Sequence, residues 1–153
     1  IGDLSVRENI IIGLQAKKGM WNHIPLKEQE QIADEYIKLL QIKVSSPEQL
    51  IRNLSGGNQQ KVIFGKWLER EPQVFMMDEP TRGIDVGAKY EIYELIIKMA
   101  KQGKTVIVVS SEMPEILGIT NRIGVMSNGH LSGIVNTKET NQEELLRLSA
   151  KYL

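Results

Sequence analysis

Cysteine is absent from the sequence, so neither a disulfide nor a thiolate metal site is available, which suits a reducing cytoplasm. Net charge is absent too: 19 Lys and Arg offset 19 Asp and Glu. Without a net field, nothing pulls the chain toward nucleic acid or acidic lipid, and no nucleic-acid partner is expected. No apolar run reaches the roughly 18 residues that span a bilayer, and Ile1-Gly2-Asp3-Leu4 does not read as a signal peptide. Work at a membrane would therefore run through a partner. The two histidines, His23 in an expected loop and His130 in an expected turn, offer no metal site. There is no internal repeat and no low-complexity stretch. The rest is ordinary for a globular protein, with 41% hydrophobic and 25% charged residues. The 153 residues suffice for one domain, or one domain with a small appendage.

Ser5-Val6-Arg7-Glu8 has the form of a capping box and predicts a helix carrying Ile10, Ile11 and Leu14 and fading near Gly19. A second helix is expected from about Leu26 to Leu40, with Ile32, Tyr36, Leu39 and Leu40 at helical spacing opposite a charged face. Residues 1–52 therefore read as part of a helical subdomain. From Ser55 the pattern changes to a helix, then the apolar run Val74-Phe75-Met76-Met77, short enough for a buried strand. A helix from Val86 to Ala100, a strand from Thr105 to Val109 and a short helix near Glu115 follow. Asn128-Gly129 favours a tight turn between strands at Arg122–Met126 and Leu131–Val135, ahead of a last helix after Thr140. Alternating strands and helices make residues 53–153 an α/β unit with a largely parallel sheet. Met76, Met77 and Met126 are expected as core filler, and Trp21 and Trp67 as packing residues.

Four short motifs carry chemistry. Leu54-Ser55-Gly56-Gly57-Asn58 opens a helix, where bare amides and the helix dipole could receive a phosphate and Ser55 could donate to it. Taken alone, Ser-Gly-Gly is better read as a cap with a flexible glycine pair. Asp78-Glu79 emerges at the C-terminal end of an apolar strand, where ligands of parallel sheets collect. Asp78 could hold Mg²⁺, and Glu79 could orient or deprotonate a water attacking a γ-phosphate. A solvated acidic pair is the plain alternative. Asp85 follows a tight turn and could be a simple helix cap. Ser110-Ser111-Glu112 closes the strand that begins at Thr105.

In this order and spacing the four motifs resemble the ATP-binding-cassette family of transport ATPases. The resemblance implies a partial cassette fold, P-loop NTPase-like, with flanking helices on a mostly parallel sheet. It also implies ATP and Mg²⁺ as cofactors. Leu54 to Asn58 resembles the family's signature motif, Val74 to Asp78 its Walker B strand, Glu79 its catalytic glutamate and Ile84-Asp85 its D-loop. Ser55, Gly56, Gly57, Asn58, Asp85 and Ser111 would then face nucleotide, and Asp78 the metal. Ser111 occupies the switch position, where most members carry histidine, which implies a slow ATP site there.

The runs Asn53–Lys61, Asp78–Lys89 and Ser110–Glu115 resemble the second cassette of monosaccharide importers. Leu117–Arg122 and Met126–Val135 resemble the galactose/methyl-galactoside type most, with ribose, xylose and arabinose importers close. The resemblance implies three partners. They are a first cassette in the same chain or a second copy, a transmembrane permease docked on the helical subdomain, and a periplasmic sugar-binding protein acting indirectly. It places the protein on the cytoplasmic face of a bacterial inner membrane, as a peripheral subunit. A cassette ATPase of DNA repair or chromosome maintenance is the alternative, without the long insertions those proteins often carry.

The Walker A loop, Gly-x-x-x-x-Gly-Lys-Ser/Thr, is not in the sequence, nor is the family's Q-loop. Gly103-Lys104-Thr105 is a decoy, because Lys98 stands where the first glycine belongs and the tripeptide leads into a strand. The chain is therefore expected to begin partway through a cassette and to be inactive alone.

Overall fold

The computed structural model describes residues 1–19, 21–68 and 71–152. It falls into two compact units, one of Ile1–Phe75 with Thr81–Val106 and one of Met76–Pro80 with Ile107–Leu153.

In the first unit, α1 (Val6–Lys18) starts at the expected capping box: Glu8 N–H donates to Ser5 Oγ and Ser5 N–H to the Glu8 carboxylate. This satisfies two amides that would otherwise lack partners at the helix start. α1 packs on α2 (Leu26–Leu39) and on α3 (Gly56–Leu68). Val6, Ile10 and Ile11 are buried there with Leu40, Val62 and Phe64. Arg7 pins the connection to α2, making two hydrogen bonds to Glu48 and one to Gln29. The inward stripe of α2 differs in part from the expected one. Leu40 is buried as expected and Ile32 and Tyr36 are half-buried, but Leu39 is 46% exposed and Ala33, one position round from Ile32, is fully buried. A short helical turn at Ile51–Asn53 leads into α3. α4 (Val86–Lys101) buries Ile92, Ile96 and Met99.

β1 (Val74–Asp78) and β2 (Thr105–Val109) are hydrogen-bonded neighbours. Thr105 N–H donates to Gln73 O at 2.9 Å, and Glu79 N–H to Val109 O at 2.8 Å. Start is thus tied to start and end to end, the parallel arrangement. β1 is not the fully buried strand its apolar run suggested. Phe75 and Met77 face in while Val74 and Met76 are 53% and 74% exposed, since a strand turns alternate side chains to opposite faces. Met76 and Met126 are therefore not core filler. Trp21, at 96% exposure, and Trp67, at 46%, are not core residues either; Lys66 Nζ sits 5.2 Å from the Trp67 ring centre.

In the second unit, α5 (Met113–Ile119) precedes a hairpin of β3 (Arg122–Ser127) and β4 (His130–Asn136). Asn128 and Gly129 take φ of 44° and 81°, as a turn matching the strands' right-handed twist requires. The pairing is antiparallel with a bulge at Val125/Met126. α6 (Gln142–Ser149), capped by Asn141, packs over β3 and buries Leu145. The four strands thus make one parallel and one antiparallel pair among the described residues, flanked by helices.

Candidate functional site

The turn at Leu54–Asn58 is held from below. Leu54 N–H closes the preceding helical turn onto Ile51 O at 2.9 Å, and Gln59 Nε2 donates to Leu54 O at 2.9 Å. Ser55 and Gly56 are exposed, whereas Gly57 is buried. The Asn58 amide is oriented by what it meets. Lys43 N–H can only donate, so Oδ1 faces it at 2.8 Å, and Nδ2 turns to Ser55 Oγ at 2.9 Å. The serine oxygen thereby accepts from within the turn and keeps its own hydrogen for an outside acceptor. This polarity suits an anion at the start of α3, where the helix dipole adds partial positive charge.

Gly57 lies against a neighbouring helix. A Cβ built there would lie 2.5 Å from Ala88 Cβ on α4, while one at Gly56 would lie 3.8 Å from Gly83 O, an ordinary contact. Asp85 is the N-cap of α4, accepting from Ala88 N–H at 3.0 Å. One turn along from Gly57, Lys61 is only 2% exposed. Its ammonium meets Glu91 at 2.7 Å and Gln41 O at 3.1 Å. The hydrogen bond from Lys61 holds the Glu91 carboxyl below its ordinary range, against a smaller opposing effect of burial. Lys43 reaches the same carboxylate at 3.8 Å.

In the second unit, β1 ends in Asp78, whose side chain is exposed. Glu79 then takes a left-handed φ of 45°, a conformation non-glycine residues seldom adopt. Its N–H continues the ladder to Val109, and its Oε1 accepts from Ser111 N–H at 2.9 Å. The Glu79 carboxylate and residue 111 are thus brought together, through the main chain of Ser111. Thr81, in the first unit, is 1% exposed, and its carbonyl accepts from Ile84 N–H at 3.2 Å in the turn leading to Asp85. Sequence reasoning singled out Ser55, Gly56, Gly57, Asn58, Asp78, Glu79, Asp85 and Ser111 as candidates. It missed Lys61, Ala88 and Glu91, since a lysine gives no local sign of burial and their partners lie on another helix.

A family model described as "ABC transporter" matches residues 1–82, more than half of the sequence. The chain belongs to the ABC transporter family. It is 70% identical over 127 residues to the galactose/methyl galactoside import ATP-binding protein MglA of Treponema pallidum, covering 83% of this chain and 26% of that protein. With the protein of the same name from Treponema denticola it is 75% identical over 123 residues, 80% of this chain and 25% of that one. For Pasteurella multocida the figures are 51% over 155 residues, 99% and 30%. The chain thus spans about a quarter to a third of the length of these relatives.

An ABC cassette fold is also what solved structures share with this chain. An inward-facing putative metal-chelate-type ABC transporter superposes with a TM-score of 0.82 at 19% identity, over 94% of this chain and 57% of that one. An ATP-binding cassette solved as a dimer in a post-hydrolysis state with ADP and Pi gives 0.75 at 25% identity, over 90% and 58%. This ABC chain is accordingly an α/β partial cassette. Nucleotide binding goes with the family. No helix among the described residues is long and apolar enough to cross a membrane.

Proposed function

We propose that the chain is part of the ATP-binding subunit of an importer for galactose and methyl galactoside, coupling ATP hydrolysis to sugar uptake. The identity of 70–75% with two import ATP-binding proteins of that name, over about four-fifths of the chain, is the observation that carries the reading. Ser55, Gly56 and Asn58 form the turn offered to a nucleotide phosphate, with Ser55 as donor. Asp85 presents the neighbouring turn. Residues 1–52 belong to a helical subdomain that docks on a transmembrane permease, and residues 53–153 to the nucleotide-binding core. The other partners are a first cassette or second copy, which supplies the facing half of each ATP site, and, indirectly, a periplasmic sugar-binding protein. The subunit is peripheral, on the cytoplasmic face of a bacterial inner membrane.

The residues present fit a magnesium-bound nucleotide. Mg²⁺ prefers hard oxygen donors and takes one or two carboxylates with substrate phosphates and water rather than an all-protein cage. The exposed Asp78 carboxylate at a strand end offers such a donor, and no three-residue acidic or histidine cluster is found among the described residues. When bound, the ion neutralises charge on the transferring phosphoryl group. Glu79 orients the attacking water and accepts its proton, with the carboxylate steadied by the Ser111 amide. Serine at 111, in place of an imidazole that can protonate, leaves that position without a side chain that can turn cationic, so the turnover of this site is slow beside that of the site facing Ser55.

The test uses the full-length protein assembled with its permease in vesicles. Galactose-loaded binding protein is expected to raise ATP hydrolysis, and ribose-, xylose- or arabinose-binding proteins are not. Stimulation by one of those alone, or by none, removes the galactose assignment.

A further inference from the structure

Gly57 lies in a phosphate-facing motif, yet the space missing at this position is on the helix side. With 2.5 Å between its would-be Cβ and Ala88 Cβ, and Ile84 Cγ2 at 3.7 Å, α3 rests on α4 at the point where α4 begins. A methyl group at 57 has nowhere to go without parting the helices, because the atom it meets is the rigid first carbon of another side chain. Immediately beyond, the buried Lys61 ammonium is joined to Glu91 of α4 at 2.7 Å. Lys61 is buried and Glu91 half-exposed, so the pair opposes sliding modestly while the glycine permits closeness. The two contacts fall one turn apart on both helices.

We infer that Gly57, Ala88, Lys61 and Glu91 form a clamp that makes the Ser55–Gly56 turn and the Asp85 turn one rigid body. Gly57 serves this clamp, not the approach of phosphate. The inference rests on the reading of Ser55 and Gly56 as the phosphate-facing residues. Ser55 leads into α3 and Asp85 caps α4, so whatever fixes the two helices fixes both turns together. These are positioning residues, acting on ATP through the elements they hold.

Space can be moved from one helix to the other, and this gives the test. Gly57→Ala adds the methyl, and Ala88→Gly removes the one it strikes. In the full-length protein assembled with its permease, Gly57→Ala is expected to lower the thermal midpoint and cut kcat by on the order of 10²-fold, as a misplacement near 1 Å can. KM for ATP should change little. The double variant Gly57→Ala/Ala88→Gly is expected to regain the midpoint and most of kcat. Should Gly57→Ala fail to fold, a double variant that folds and is active supports the clamp equally. Gly56→Ala, whose methyl fits, is expected to keep the midpoint while changing the kinetics.

A double variant as inactive as Gly57→Ala, with its midpoint restored, would place the methyl in the nucleotide's way and overturn the clamp. So would a Gly57→Ala protein of undiminished midpoint and kcat. The site reading is checked separately with Ser55→Ala. Full activity there removes that reading, whereas rescue of the midpoint by Ala88→Gly still supports the helix contact.

Discussion

Ser55 and Asn58 show how far a residue's type determines its work. The sequence marks both as nucleotide-facing, but Asn58 is engaged on both ends of its amide, by Lys43 N–H and Ser55 Oγ. In the proposed site its part is to hold the serine with the hydrogen outward. Substitutions at the two positions therefore share one loss. Asn58→Ala is expected to lower ATP hydrolysis several-fold in the full-length protein, in keeping with one hydrogen bond of about 1 kcal/mol. In a Ser55→Ala background the same change should cost almost nothing. A double-mutant cycle measures this, and independent, additive losses would mean that Asn58 meets the nucleotide itself. Glu79 was legible as an acid at a strand end, but its left-handed backbone and its bond to the Ser111 amide were not. Both depend on where β2 ends, and no pattern local to Asp78-Glu79 records that.

At the level of elements, local signals were read well and contacts between elements poorly. The capping box of α1, the Asn-Gly hairpin and the Asp85 cap of α4 each lie within four residues, and each is present. The buried stripe of α2 was read only in part: Leu40 is buried as expected, but Ala33 is buried and Leu39 exposed, which depends on how α1 and α3 pack on the helix. The α3–α4 contact was invisible, since Lys61 reads as a surface residue until Glu91 is placed beside it. That pair has a pH signature. Because Lys61 holds the folded-state pKa of Glu91 below the ordinary 4.5, its contribution is fully present above about pH 4.5. It disappears as the pH falls through the depressed value and the carboxylate takes up a proton. Glu91→Gln should therefore destabilise the chain by about 1 kcal/mol at pH 7, the low end because Glu91 is 43% exposed and screened by water. The difference from the parent should shrink at pH 3. Urea unfolding at the two pH values measures it, and a gap that stays constant would show that the charge on Glu91 contributes nothing.

On the proposed reading, the 153 residues carry groups that meet a nucleotide's terminal phosphates, and no Gly-x-x-x-x-Gly-Lys-Ser/Thr loop is among them. In that reading Asp78 and Glu79 act at the terminal phosphates, and a site that cannot cradle the β- and γ-phosphates has little hold on the nucleotide. Calorimetry of the 153-residue chain with MgATP is expected to give no micromolar binding; tight binding with turnover would require a phosphate cradle among these residues that the sequence does not reveal. The alternation along β1 has a further, colloidal consequence. Val74 and Met76 turn apolar side chains to water, while opposite charges cancel at an isoelectric point near 7.0. At neutral pH no long-range repulsion keeps such faces apart. Sulfate, which strengthens apolar burial, presses them together. The chain is therefore expected to be least soluble near neutrality and in sulfate-rich solution, and to disperse best a few pH units to either side, where its molecules carry charge of one sign.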